Sequence, residues 1–89
     1  MASDPDVTRT EGEVTIRYWA SARAAAGCDS ERFSGGHVGE VLLAAATAHA
    51  GLADVLAVST VLLDGRPVTA AHPLSQASTL EVLPPFAGG

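Results

Sequence analysis

Apolar residues in this chain recur first with a period of two and then with a period near 3.6, and the changes of period mark its elements. Val14-Thr15-Ile16-Arg17-Tyr18-Trp19-Ala20 alternates as a strand does. Val14, Ile16 and Tyr18 share one face; Thr15, Arg17 and Trp19 share the other. Residues 21–26 are Ala-rich and predict a short helix that Gly27 stops. Residues 29–33 predict a short returning strand. In residues 37–50, Val38, Val41, Leu42, Ala45 and His49 keep the i, i+3, i+4 rhythm of the main helix. Ser34 or Gly36 supplies its cap, and Gly51 follows its end. Residues 52–56 add a turn. Residues 58–63 and 66–68 flank Asp64-Gly65, a pair suited to a type I′ hairpin because both central positions need positive φ. Residues 69–78, containing His72-Pro73, predict an irregular connection. Thr79-Leu80-Glu81-Val82-Leu83 is the last strand, and Pro84-Pro85 ends it because Pro donates no ladder bond.

The order is strand, short helix, strand, long helix, hairpin, final strand. It is compatible with an α+β fold, a β-grasp: one main helix over a mixed sheet of four or five strands, the first and last strands parallel at its centre. Residues 1–12 lack periodicity and predict a disordered leader. The domain then spans 13–83, and 84–89 form an extended arm ending in Gly-Gly.

Composition narrows the function. Eighty-nine residues make one small domain. The formal net charge of −5 leaves no basic patch for phosphates, so nucleic acid is not expected as a partner. An acidic domain suits a partner with a basic docking surface. The cations are all Arg, so no Lys amine is present to form an isopeptide bond. The single Cys28 excludes an intrachain disulfide. No cationic-then-apolar leader opens the chain and no run approaches a membrane span, which predicts a cytoplasmic protein.

The chemistry-bearing feature is the end, Pro84-Pro85-Phe86-Ala87-Gly88-Gly89. Gly88 and Gly89 have no Cβ, so a channel wall can close on their backbone. Four extended residues, Phe86, Ala87, Gly88 and Gly89, reach roughly 13 Å at about 3.3 Å each. Pro84 and Pro85 hold the root extended, which offsets part of the entropy lost on threading. Phe86 suits an apolar socket. By alternation Arg17, Trp19, Glu81 and Leu83 face outward, which places Trp19 and Leu83 together at the tail root as a docking patch. A register shift of one residue would instead bury Trp19.

Other candidates carry less. Cys28 has nothing nearby that clearly lowers its pKa, and a helix end beside it has the wrong polarity. His37, His49 and His72 lack metal-ligand spacing, so no metal is expected. There is no phosphate loop, and no acid–base carboxylate pair can be defended.

Two segments resemble the MoaD/ThiS sulfur-carrier family. Val14-Thr15-Ile16-Arg17-Tyr18-Trp19-Ala20-Ser21-Ala22-Arg23-Ala24-Ala25-Ala26-Gly27 looks like its opening, and Leu80-Glu81-Val82-Leu83-Pro84-Pro85-Phe86-Ala87-Gly88-Gly89 like its ending. The middle matches only in pattern. Phe86 stands where the family commonly has the smaller Val. The ending is most similar to the branch that forms the small subunit of molybdopterin synthase. The resemblance implies a β-grasp (ubiquitin-like) fold and a protein that is not catalytic alone. A ubiquitin-activating-type enzyme would use ATP to adenylate Gly89. A sulfur donor protein would then convert the adenylate to a thiocarboxylate. The tail, Gly88 and Gly89 foremost, would enter the large subunit of molybdopterin synthase, where the sulfur builds the dithiolene of the molybdenum cofactor. Trp19, Leu83, Pro84, Pro85, Phe86 and Ala87 would contact these partners. The chain itself would bind no cofactor. A carrier for thiazole or cysteine biosynthesis, a ubiquitin-like protein modifier and a plain interaction module remain alternatives.

Overall fold

The computed structural model describes residues 13–75 and 77–85. The predicted leader and Phe86, Ala87, Gly88 and Gly89 lie outside them. The elements are β1 (Glu13–Tyr18), α1 (Ala20–Ala26), β2 (Ser30–Ser34), α2 (Val38–Ala48), α3 (Leu52–Ala57), β3 (Thr60–Leu63), β4 (Arg66–Pro67) and β5 (Ser78–Leu83). The strands form one sheet in the order β2-β1-β5-β3-β4. β1 runs parallel to β5 at the centre, and the other pairings are antiparallel. This is the β-grasp arrangement; the described residues hold three helices, the expected short helix and main helix and a third, α3, where an added turn is expected.

Alternation decides which side of the sheet is dry. Val14, Ile16 and Tyr18 of β1 and Leu80 and Val82 of β5 are buried, and their register partners interleave them across the two central strands. Val38, Val41 and Ala45 of α2, Leu52 of α3, and Ala22 and Ala26 of α1 cover them. Several of the covering helical residues are Ala, so the apolar burial rests on a few branched side chains. Each fully buried Val, Leu or Ile contributes about 1.5–3 kcal/mol. Ile16, Leu52, Leu80, Val14, Val38, Val41 and Val82 are the largest side chains that lose all contact with water.

Two turns follow the predicted chemistry. Gly27 ends α1 in the left-handed region at φ 76°, and its N–H bonds the Arg23 carbonyl at 2.8 Å. Asp64 and Gly65 have φ of 48° and 90°, as a type I′ hairpin requires. Asp64 also locks the hairpin tip to β5. Its Oδ1 accepts from the Thr79 N–H at 3.1 Å, and its own N–H donates to the Thr79 carbonyl at 2.9 Å.

The start of the main helix departs from expectation. Its N-cap is His37, not Ser34 or Gly36, and no side chain caps it. The orphan amides find carbonyls of the 69–73 connection instead: Val38 donates to His72 at 2.9 Å and Gly39 to Ala70 at 2.8 Å. Glu40 reaches back and accepts from the Gly36 N–H at 2.7 Å. The connection lacks regular structure but is tied down, and it passes so close that a Cβ on Gly39 would lie 3.2 Å from the Ala70 carbonyl oxygen.

Candidate functional site

The sheet face opposite the helices is built from the other set of alternating residues. Register places Thr15 beside Thr79 and Arg17 beside Glu81, with Leu62 on the far side of Glu81 and Thr60 beside Leu83. The expected outward set, Arg17, Glu81 and Leu83, is therefore on one face. Arg17 is exposed, while Glu81 and Leu83 are half-buried among their cross-strand neighbours.

Trp19 reaches the same region by another route. The strand ends at Tyr18, so Trp19 is the N-cap of α1 rather than the seventh strand residue. Ala20 then turns the chain into the helix at a positive φ of 51°. The Trp19 N–H donates to the Val82 carbonyl at 3.3 Å, which pins it beside the end of β5. Trp19 is 40% exposed, so the shifted register that would bury it does not occur. The Arg17 guanidinium lies 5.2 Å from the ring centroid, within cation–π range. This contact fixes a large apolar surface that still faces water.

β5 hands the chain directly from this patch to the arm. Pro84 is buried and Pro85 is exposed, so the proline root belongs half to the domain and half to the surface. Residues 86–89, which include the proposed acyl terminus Gly89 and its neighbour Gly88, are outside the described residues, as are Phe86 and Ala87.

A second constellation was not foreseen from spacing. Cys28, Glu31 and His49 bring ligand-type atoms within 4.8 Å of one another. Tyr18 Oη donates to Glu31 Oε1 at 2.8 Å, and His49 Nε2 lies 2.7 Å from the same oxygen. The Tyr18 and His49 rings meet edge to face at 6.5 Å. Burial, then the hydrogen bond and charge of Glu31, push the Tyr18 phenol well above its ordinary range. Desolvation and the Glu31 and Asp29 carboxylates push the Cys28 thiol up as well. That disfavours a reactive thiolate at Cys28. The sequence did hold a signal for this cluster. Alternation in β2 puts Glu31 on the inward face with Phe33, and His49 falls on the apolar side of α2. Two polar groups turned inward need partners.

No helix among the described residues is long and apolar enough to cross a membrane. No protein-family model matches the chain, and no curated protein sequence matches it significantly. Solved structures do. Small archaeal modifier protein 1 from Methanosarcina acetivorans matches with a TM-score of 0.81 at 24% identity, over 89% of this chain and 98% of that one. A putative molybdopterin converting factor subunit 1 from Pyrococcus furiosus matches with a TM-score of 0.75 at 22% identity, over 83% and 98%. In the Helicobacter pylori complex of molybdopterin-converting factor subunits 1 and 2, the matched chain has a TM-score of 0.65 at 20% identity, over 86% and 99%. The feature shared with these neighbours is the β-grasp fold.

Proposed function

We propose that the chain is a sulfur carrier whose Gly89 carboxylate is activated and loaded by other proteins. The observation that carries this reading is the delivery of Pro84-Pro85 from the central strand β5, beside an exposed Trp19 held by Arg17. A carboxylate is a poor acyl donor until its oxygen becomes a good leaving group. An adenylating partner would supply ATP: the Gly89 carboxylate attacks the α-phosphate and pyrophosphate leaves. The outer sulfur of a donor protein's persulfide then displaces AMP to give an acyl disulfide, and a thiol reductant cleaves its S–S bond, releasing the donor's thiol and leaving a thiocarboxylate on Gly89. The open sheet face with Trp19 and Leu83 would dock on the partner while residues 86–89 thread its channel. Delivery to a large subunit that builds the molybdopterin dithiolene is the pathway we favour. The Helicobacter pylori neighbour, solved as a complex of subunits 1 and 2, supports a partner of that kind.

A second reading is a ubiquitin-like modifier, in which the activated Gly89 meets an amine instead of a sulfur donor. The likeness to small archaeal modifier protein 1 favours it. Intact mass spectrometry on protein from the native host separates the two. Exchange of one oxygen for sulfur at Gly89 supports the carrier. Covalent adducts on other proteins support the modifier. An unmodified chain, with the activating enzyme, ATP and sulfur donor supplied, overturns both. Deleting Gly88 and Gly89 should abolish loading while leaving the circular-dichroism spectrum unchanged.

A further inference from the structure

Cys28, Glu31 and His49 come from three different places in the fold. Cys28 lies between α1 and β2, Glu31 is on the inward face of β2 opposite Ile16, and His49 is the C-cap of α2. Thiolate, carboxylate and imidazole are the three side-chain types that bind zinc. We propose that these residues form a binding site for one zinc-class divalent cation, with water as the fourth ligand.

The distances allow it. Tetrahedral zinc with ordinary bond lengths holds its ligand atoms roughly 3.4–3.6 Å apart. The three atoms here already lie within 4.8 Å, and the closest pair, His49 Nε2 and Glu31 Oε1, is at 2.7 Å. Seating the ion therefore asks for side-chain adjustments of about 1 Å. Glu31 and His49 are partly shielded, with side-chain exposures of 26% and 20%, so an ion can enter yet loses much of the competing water.

The electrostatics point the same way. Glu31 and Asp29 make the surroundings of the thiol negative. The C-terminal end of the 11-residue helix α2 adds its negative dipole end at His49. A divalent cation neutralises this field. The Tyr18 hydroxyl already orients the Glu31 carboxylate, as an outer partner does for a metal-bound ligand.

The binding step balances without redox chemistry. The Cys28 S–H bond breaks, its proton goes to the buffer, and the sulfur lone pair forms the metal bond. The Glu31 carboxylate gives a lone pair, and the His49 ring proton moves to Nδ1 so that Nε2 can bind. Starting from a neutral imidazole and an ionised carboxylate, each metal bound releases one proton from the protein.

The test uses the full chain stripped of metal with a chelator. Zn²⁺ is titrated in competition with a chromophoric chelator, Co²⁺ is titrated by absorption, and calorimetry in two buffers counts protons. The expected result is one ion per chain, a thiolate-to-cobalt charge-transfer band, and about one proton released. Cys28→Ser and His49→Gln should each weaken binding by roughly tenfold or more. His72→Gln, far from the cluster, should leave it unchanged. Absence of the charge-transfer band, an undiminished affinity in Cys28→Ser, or one ion shared by two chains would overturn the proposal. If a variant fails to fold, the band and stoichiometry of the unaltered chain still decide. The result is independent of sulfur loading at Gly89, so either idea can fail alone.

Discussion

Removing one oxygen atom tests the packing between the sheet and α2. In Tyr18→Phe the ring stays in place, 3% exposed in the parent chain, and only the hydrogen bond to Glu31 is lost. Hydrogen bonds to charged groups are worth about 1.5–3 kcal/mol. His49 still contacts the same Glu31 oxygen, so the lower end applies, and the expected loss is about 1.5 kcal/mol at pH 7. The loss should depend on pH. The folded-state pKa of Tyr18 is raised, with burial the largest cause and Glu31 the next. The stabilisation is therefore fully present below the unfolded value near 10 and is lost as pH climbs from there toward the folded value. At pH 11 an unfolded phenol is mostly ionised while the folded one stays neutral, which costs the parent about 1.4 kcal/mol that Phe never faces. The two proteins should then differ by nearly 1.5 kcal/mol at pH 7 and almost nothing at pH 11. Urea unfolding followed by the fluorescence of Trp19, the chain's single Trp, in the presence of chelator, reads this directly. With a slope of about 1 kcal/mol/M, the midpoint gap should be about 1.5 M at pH 7. Since Tyr18 is also the only Tyr, its ultraviolet titration can be followed without overlap from another phenol. A gap that stays constant from pH 7 to 11 would refute the reasoning, because it would mean the phenol ionises as freely folded as unfolded.

Three further outcomes follow from the same structure. Leu80→Ala empties a fully buried position on the central strand and should cost about 2–5 kcal/mol, enough to leave so small a domain largely unfolded in mild urea. Gly27→Ala meets no atom within 4 Å, so any loss comes from the left-handed backbone alone; about 1–2 kcal/mol is expected in a thermal melt, and a larger loss would point to a hidden clash. Trp19→Ala should change stability by less than about 1 kcal/mol but weaken binding to the adenylating partner by about 2 kcal/mol or more, measured by calorimetry; a stability loss without a binding loss would make Trp19 structural.

Much of this fold was legible along the chain because its signals are local. Alternation over Val14, Ile16 and Tyr18, the helical rhythm of Val38, Val41 and Ala45, and the Asp64-Gly65 turn each depend on residues within a few positions of one another. Their order then leaves few ways to bury one face of one sheet. The same alternation placed Arg17, Glu81 and Leu83 on the open face.

What sequence could not supply were contacts between distant segments. Adjacent residues offer the local cap of α2, but its amides are satisfied by His72 and Ala70, more than thirty positions away. Strand alternation points Trp19 outward; it faces outward instead because the chain leaves the strand at Tyr18 and Ala20 adopts a positive φ. Cys28, Glu31 and His49 share no spacing rule, since a strand, a loop and a helix end each set their own period. Only the docking of α2 across β2 brings them within reach of one ion. Thus sequence determined the elements and their order, with which a β-grasp is compatible, and suggested the Gly-Gly arm. Tertiary structure alone decided which polar side chains meet, because proximity across packed elements is set by the fold's geometry and not by separation along the chain.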